Sequence, residues 1–138
     1  MRTWRRHHRL GRVILTKTAA VTIAAPREHV FDTLVRMDLG ALRFYDARVE
    51  SVETNGVPDG QAGQVARTLG RVWGQEVEII QTLLVAERPG HLMDRMDMPG
   101  DSVLTDIRLT ELPDGGTRLT VATSFDIAAW KVLKIAMT

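Results

Sequence analysis

The chain contains no cysteine. A disulfide framework, a thiolate nucleophile and a Cys-ligated metal are therefore excluded together. Histidine is scarce, at positions 7, 8, 29 and 91, and apart from the adjacent pair nothing has ligand spacing, so no metal site is expected. No Gly-x-Ser-x-Gly turn occurs, and Ser51, Ser102 and Ser124 have no partnered histidine nearby in the sequence. Gly60-x-x-Gly63 and Gly70-x-x-x-Gly74 precede no helix signal, which argues against a phosphate loop. No apolar run approaches the roughly 20 residues that a membrane span needs. Nor does an apolar region follow the basic start, so a secretory signal is not expected and the expected location is cytoplasmic.

What is present is ordinary for a globular protein: 138 residues, 44% hydrophobic and 25% charged, enough for a single core. The net charge of +1 hides an asymmetry. Residues 1–17 hold Arg2, Arg5, Arg6, Arg9, Arg12 and Lys17 with no acid; the remaining twelve basic residues face all seventeen acidic ones, a balance of −5. We read residues 1–14 as a basic arm and 15–138 as one domain. The arm is either a solvated terminus or a contact for an anionic membrane surface, since clustered arginine is drawn to phosphate. Nucleic acid is not an expected partner, and the sequence leaves the oligomeric state open.

The chain is organised around Ala19–Arg36. Ala19, Val21 and Ile23 alternate with Ala20, Thr22 and Ala24, the period of a strand with one buried face. Pro26 fits a first helical position, Glu28 suits the first turn, and Val30, Phe31, Leu34 and Val35 share a face. Asp32 and Arg36 are spaced to pair on the wet side.

Beyond this unit, the spacing predicts a first strand over 13–25, a helix from 26 to about 37 and a short helix over 41–46. Strands follow over 48–54, 63–72, 76–86, 92–98, 103–112 and 118–127, separated by Gly, Pro and Asn turn signals. In the longest, Leu83 to Val85 is apolar on both sides, as in a strand covered twice or one with a bulge. Leu92, Met96 and Met98 alternate with Met93, Arg95 and Asp97; Val103, Ile107 and Leu109 are set against Asp106, Arg108 and Thr110. Residues 128–138 read as a helix, with Trp130, Leu133 and Met137 at helical spacing. Tight turns imply antiparallel neighbours, and the sheet needs a helix to cover one face.

This order, with Ile23, Ala25, Pro26, Glu28, Val30, Phe31 and Leu34 at its start, resembles the START-like or SRPBCC superfamily. That group includes polyketide cyclase/dehydrase-like and birch-pollen-allergen-like proteins. Residues 49–53 (VESVE) with Gly63, residues 85–92 (VAERPGHL) and residues 113–121 (PDGGTRLTV) extend the resemblance over 19–127. It implies an α+β helix-grip fold: a curved antiparallel sheet of about seven strands around a C-terminal helix, two short helices after the first strand, and a ligand cavity between. Two features depart from the pattern. Arg43-Phe44-Tyr45 stands where relatives carry a Trp-Pro type signature, and the last helix reads as short or truncated.

The resemblance implies binding or transport of a small lipophilic or amphipathic ligand. The alternatives are a polyketide cyclase or dehydratase using the same cavity, and a lipid or quinone chaperone or interaction module using the basic arm. No catalytic residue and no cofactor is assigned, and the reading leans away from an enzyme. Polar groups in an apolar cavity would orient a ligand. The cavity candidates are Phe44, Tyr45, Trp73, His91, Met93, Arg95, Asp106, Arg108 and Trp130. Each has a plainer role open to it: packing for the aromatics and Met93, a solvated outer face for Arg95, a charge pair for Asp106 with Arg108, and an exposed turn position for His91.

Overall fold

A computed structural model describes residues 11–38, 49–72 and 74–128. Seven strands form one antiparallel sheet: β1 (Arg12–Ile23), β2 (Ser51–Thr54), β3 (Val65–Val72), β4 (Gln75–Glu87), β5 (His91–Met98), β6 (Asp101–Glu111) and β7 (Thr117–Ala128). Among the described residues there is one helix, α1 (Arg27–Leu34), between β1 and β2 in the chain. The spatial order is β1-β7-β6-β5-β4-β3-β2. The chain thus leaves one edge of the sheet after β1, enters at the opposite edge with β2, and returns strand by strand until β7 pairs with β1.

All seven strands foreseen from the alternation are present. The expected short helix at 41–46 falls outside the described residues, as do most of the basic arm and residues 129–138 of the expected C-terminal helix; Ala128, its predicted first residue, instead ends β7 and pairs with Arg12. β1 begins at Arg12, one residue before the strand expected over 13–25, so Arg12, Val13 and Ile14 are paired with β7 although they precede the boundary set at residue 15. Arg12 also donates from Nε to Asp126 Oδ1 at 2.6 Å and from Nη2 to the Asp126 carbonyl.

Helix α1 is shorter than its hydrophobic spacing suggests. Pro26 stands one residue ahead of it, extended at φ −62° and ψ 151°, and its carbonyl accepts from Val30 N–H. Arg36 lies past the helix end and pairs with Asp38 rather than with Asp32. Asp32 instead forms a two-point pair with Arg88, Nε to Oδ1 at 2.9 Å and Nη2 to Oδ2 at 3.0 Å. The ladder between β4 and β5 shifts register between Leu83 and Val85, so the two-sided apolar run is a bulge.

The core sits where α1 meets the sheet. Val30, Phe31 and Val35, with Met37 just beyond the helix, pack with Ala66, Leu83, Leu92 and Leu109, and Ile23, Ile107 and Leu119 close in around them. Three polar contacts fix α1 against this end. The Thr117 hydroxyl, fully buried, donates to the Ala25 carbonyl at 2.7 Å. Arg88 holds Asp32. Gln64, also fully buried, accepts from Gly60 N–H at 3.0 Å, while its amide nitrogen donates to Asp59 at 2.6 Å and to the Val35 carbonyl at 3.4 Å. Gly60 has φ +83°, a left-handed backbone conformation that residues with a side chain rarely adopt, and this turn is what brings its N–H to Gln64.

Truncating one partner of a buried polar cluster leaves the others unsatisfied, which costs about 1–3 kcal/mol per group. Gln64→Leu is expected to lower stability by about 2–3 kcal/mol, read as a fall in the urea midpoint with unchanged slope. Asn55→Ala, at an exposed turn amide, is expected to cost less.

Candidate functional site

Paired residues in an antiparallel ladder share a face, so the register assigns every strand residue to one side. The inner face is the one carrying the core and α1. One row across it runs Leu83, Asp94, Thr105, Thr123 and Lys17. The next row towards the α1 end is Ala86, Leu92, Ile107, Val121 and Ala19; the next one away is Gln81, Met96, Val103, Phe125 and Leu15. The outer face carries His91, Met93, Arg95, Asp106 and Arg108.

The core cluster occupies only the α1 end of the inner face. Beyond the Asp94 row, Met96, Val103, Phe125, Leu15, Ile79 and Met98 remain half-buried and outside that cluster. Asp94 stands at the boundary. The Gln81 amide donates to its Oδ2 at 2.5 Å, and the Thr105 hydroxyl donates to it from the other side. Burial pushes the Asp94 carboxyl above the ordinary aspartate range, against the opposing pull of those two hydrogen bonds. Its described partners are neutral. Lys17 closes the same row three strands away, about 14 Å at the usual strand spacing, too far for an ion pair.

The sequence-derived cavity candidates divide into two groups. Phe44, Tyr45, Trp73 and Trp130 lie outside the described residues. His91, Met93, Arg95, Asp106 and Arg108 lie on the outer face, because they alternate with the residues that carry the core. The structure does bring three of them together: His91 Nε2 is 2.8 Å from Asp106 Oδ1, and Arg108 Nε is 3.9 Å from the same oxygen. Glu87 approaches His91 Nδ1 at 3.9 Å. Arg95 pairs along its own strand with Asp97 at 3.0 Å. Arg95, Asp106 and Arg108 thus lie in ion pairs on the face away from the core, whereas His91, read from the sequence as an exposed turn position, is the half-buried first residue of β5 beside Asp106.

Asp94, Gln81 and Thr105 were missed. The available signal was parity: Asp94 falls in step with Leu92, Met96 and Met98, so it is the one acid on the apolar side of β5. Among the described residues no group of three or more His, Asp or Glu could hold a metal ion, and no helix is long and apolar enough to cross a membrane. Shallow depressions occur at the β2–β3 edge and over the Glu111–Gly115 turn, and neither is lined by Asp94 or its row.

No protein-family model matches the chain, and no curated protein matches it. Solved structures do. A truncated norcoclaurine synthase from Thalictrum flavum superposes with a TM-score of 0.69 at 13% identity, covering 91% of this chain and 82% of that one. The ZhuI aromatase/cyclase from Streptomyces sp. R1128 gives 0.64 at 24% identity, covering 85% and 71%. Ara h 8.0201 gives 0.66 at 17% identity, covering 82% and 78%. The chain has the START-like (SRPBCC) fold. The structures it resembles include, by their names, a synthase and an aromatase/cyclase, and at these identities the likeness shows the fold alone.

The Asp94 shift makes stability depend on pH. A carboxyl whose folded pKa exceeds its unfolded one favours the folded state below the unfolded value, and that contribution is lost as pH rises through the folded value. Asp94→Asn removes the buried charge and is expected to be as stable as the parent or more so near neutral pH. The difference should vanish at about pH 3, below the ordinary aspartate range. Urea unfolding of both proteins at the two pH values checks this.

Proposed function

We propose that this protein binds a small hydrophobic or amphipathic molecule against the inner face of its sheet, acting in the cytoplasm. The observation that carries the reading is the division of that face. The main core cluster fills the α1 end, and beyond it Met96, Val103, Phe125, Leu15 and Ile79 stay half-buried, with Ile127 the buried exception. Half-buried apolar surface around a few polar groups is the usual make-up of a small-molecule site. Methionine suits such a surface because its unbranched side chain adapts to irregular shapes. The shared fold with a synthase and a cyclase supports the same use of the face.

A cyclase or dehydratase would need at least two proton-moving groups over one substrate. The described inner face offers Asp94 at its centre, with Asp101 and Lys17 towards its rims, so binding without chemistry is the reading we adopt. Attachment of the arm to an anionic membrane remains a separate expectation for residues 1–10, since Arg12 is already paired with Asp126.

Uptake of the neutral probe N-phenyl-1-naphthylamine tests the proposal. Saturable fluorescence enhancement is expected, and Met96→Lys, which sets a charge on the inner face, should weaken it about tenfold or more; a charge placed by Met93→Lys on the outer face should leave it unchanged. Absence of saturable uptake, or equal effects of the two substitutions, would overturn the reading.

A further inference from the structure

We propose that Asp94, flanked by Gln81 and Thr105, receives the hydrogen-bond-donating head of the ligand, an ammonium group in preference to a hydroxyl, and disfavours a carboxylate. This deepens the reading above and rests on it. Three observations carry the inference.

The first is valence. A carboxylate has about four acceptor positions on its two oxygens, and the described partners, the Gln81 amide and the Thr105 hydroxyl, fill two. Both neighbours point donors at Asp94, so the acceptor capacity of the cluster is what remains for a ligand.

The second is charge. No titratable side chain on the inner side of β4 faces Asp94: Val77, Ile79, Gln81, Leu83 and Ala86 are all neutral. On β6 the facing residue is Thr105, and Asp101 lies four residues further along that strand. Lys17 is three strands away. A half-buried anion with neutral partners gains from a cation brought to it, whereas a second anion meets both repulsion and lost hydration.

The third is position. Asp94 lies between the packed core and the half-buried apolar residues, with Leu92 and Met96 as inner-face neighbours along β5 and Ile107 and Val103 on β6. A molecule lying along Met96, Val103 and Phe125 would place its polar end at Asp94 and its apolar body away from α1. The ligand class is therefore an apolar chain or ring bearing an amine, or secondarily an alcohol or phenol.

The test is displacement of bound N-phenyl-1-naphthylamine by decylamine, decanol and decanoate, three heads on one chain, at about pH 7.5, where an alkyl ammonium and a carboxylate are both ionised. Decylamine is expected to displace at a concentration about tenfold or more below decanoate, with decanol between. Asp94→Asn should bring amine and carboxylate within about twofold of each other, while Thr105→Val, which keeps the carboxyl, should retain the preference. A second measurement needs no variant: lowering the pH of the parent protein to about 4 should weaken decylamine and leave decanol unchanged, because the amine stays protonated throughout. Probe uptake with no head-group preference, or a preference that survives Asp94→Asn or is insensitive to pH, overturns this inference and leaves the uptake reading standing. No probe uptake at all overturns both.

Discussion

The buried amide of Gln64 fixes how the end of α1 meets the sheet, and the layout of the inner face follows from it. One side chain joins the β2–β3 loop at Asp59 and Gly60 to the Val35 carbonyl, while its backbone carbonyl accepts from Leu83 at the start of the bulge. A fully buried amide is tolerated only when its donor and acceptor are both used, and here both are. The consequence is positional. With the end of α1 held over Ala66 and Leu83, Phe31 and Val35 fill that end of the sheet. The apolar residues from Met96 outward are left beyond the core cluster. The bulge contributes to the same division: it leaves Leu83 buried and Leu84 partly exposed, so an apolar triplet does not have to sit on one side.

Much of the architecture was legible because its signals are local. Period-two alternation, bounded by Asn55-Gly56, Pro89-Gly90, Pro99-Gly100 and Gly115-Gly116, placed all seven strands within a few residues. The apolar run at Leu83 to Val85 marked the bulge, though it could equally have meant double coverage, and only the register settles which. The errors in α1 arise from tertiary contacts. Pro26 is compatible with either the first helical position or the one before it, and its extended ψ belongs to the segment that ties Ala25 to Thr117. Asp32 and Arg36 have pairing distance along an ideal helix, but the helix ends before Arg36, and the two-point geometry offered by Arg88 is the better partner for a carboxylate. Arg88 is 56 residues away, so nothing in the local sequence announces it.

The site was less legible, for a reason of a different kind. The alternation in β5 and β6 correctly separated Leu92, Met96 and Val103 from Met93, Arg95, Asp106 and Arg108. Choosing the second set as cavity residues followed polarity, and polarity alone favours the solvated face of a half-buried sheet. Asp94 was the informative exception, a charge in phase with the apolar residues. A buried polar group costs free energy unless it is satisfied, so an acid on the core parity is more telling than several on the solvent parity.

The contrast between the two faces bears on where any chemistry of this protein lies. Outer-face charges neutralise one another: Arg12 with Asp126, Arg67 with Glu78, Arg95 with Asp97, and Asp106, hydrogen-bonded to His91, with Arg108. Such exposed or half-exposed pairs contribute little to stability, roughly 0–1 kcal/mol each, but they leave little uncompensated charge in these rows to recruit a ligand. On the inner face the arrangement is reversed. Asp94 is held by neutral donors, which orient the carboxylate without neutralising it. An acid kept in that state by a fold is destabilising on its own account, and hydrophobic residues of similar size would pack there at lower cost. Its position, at the line where packed core gives way to half-buried apolar surface, is the point at which a ligand could offset that cost, and no other described carboxyl combines the inner face with neutral partners in this way.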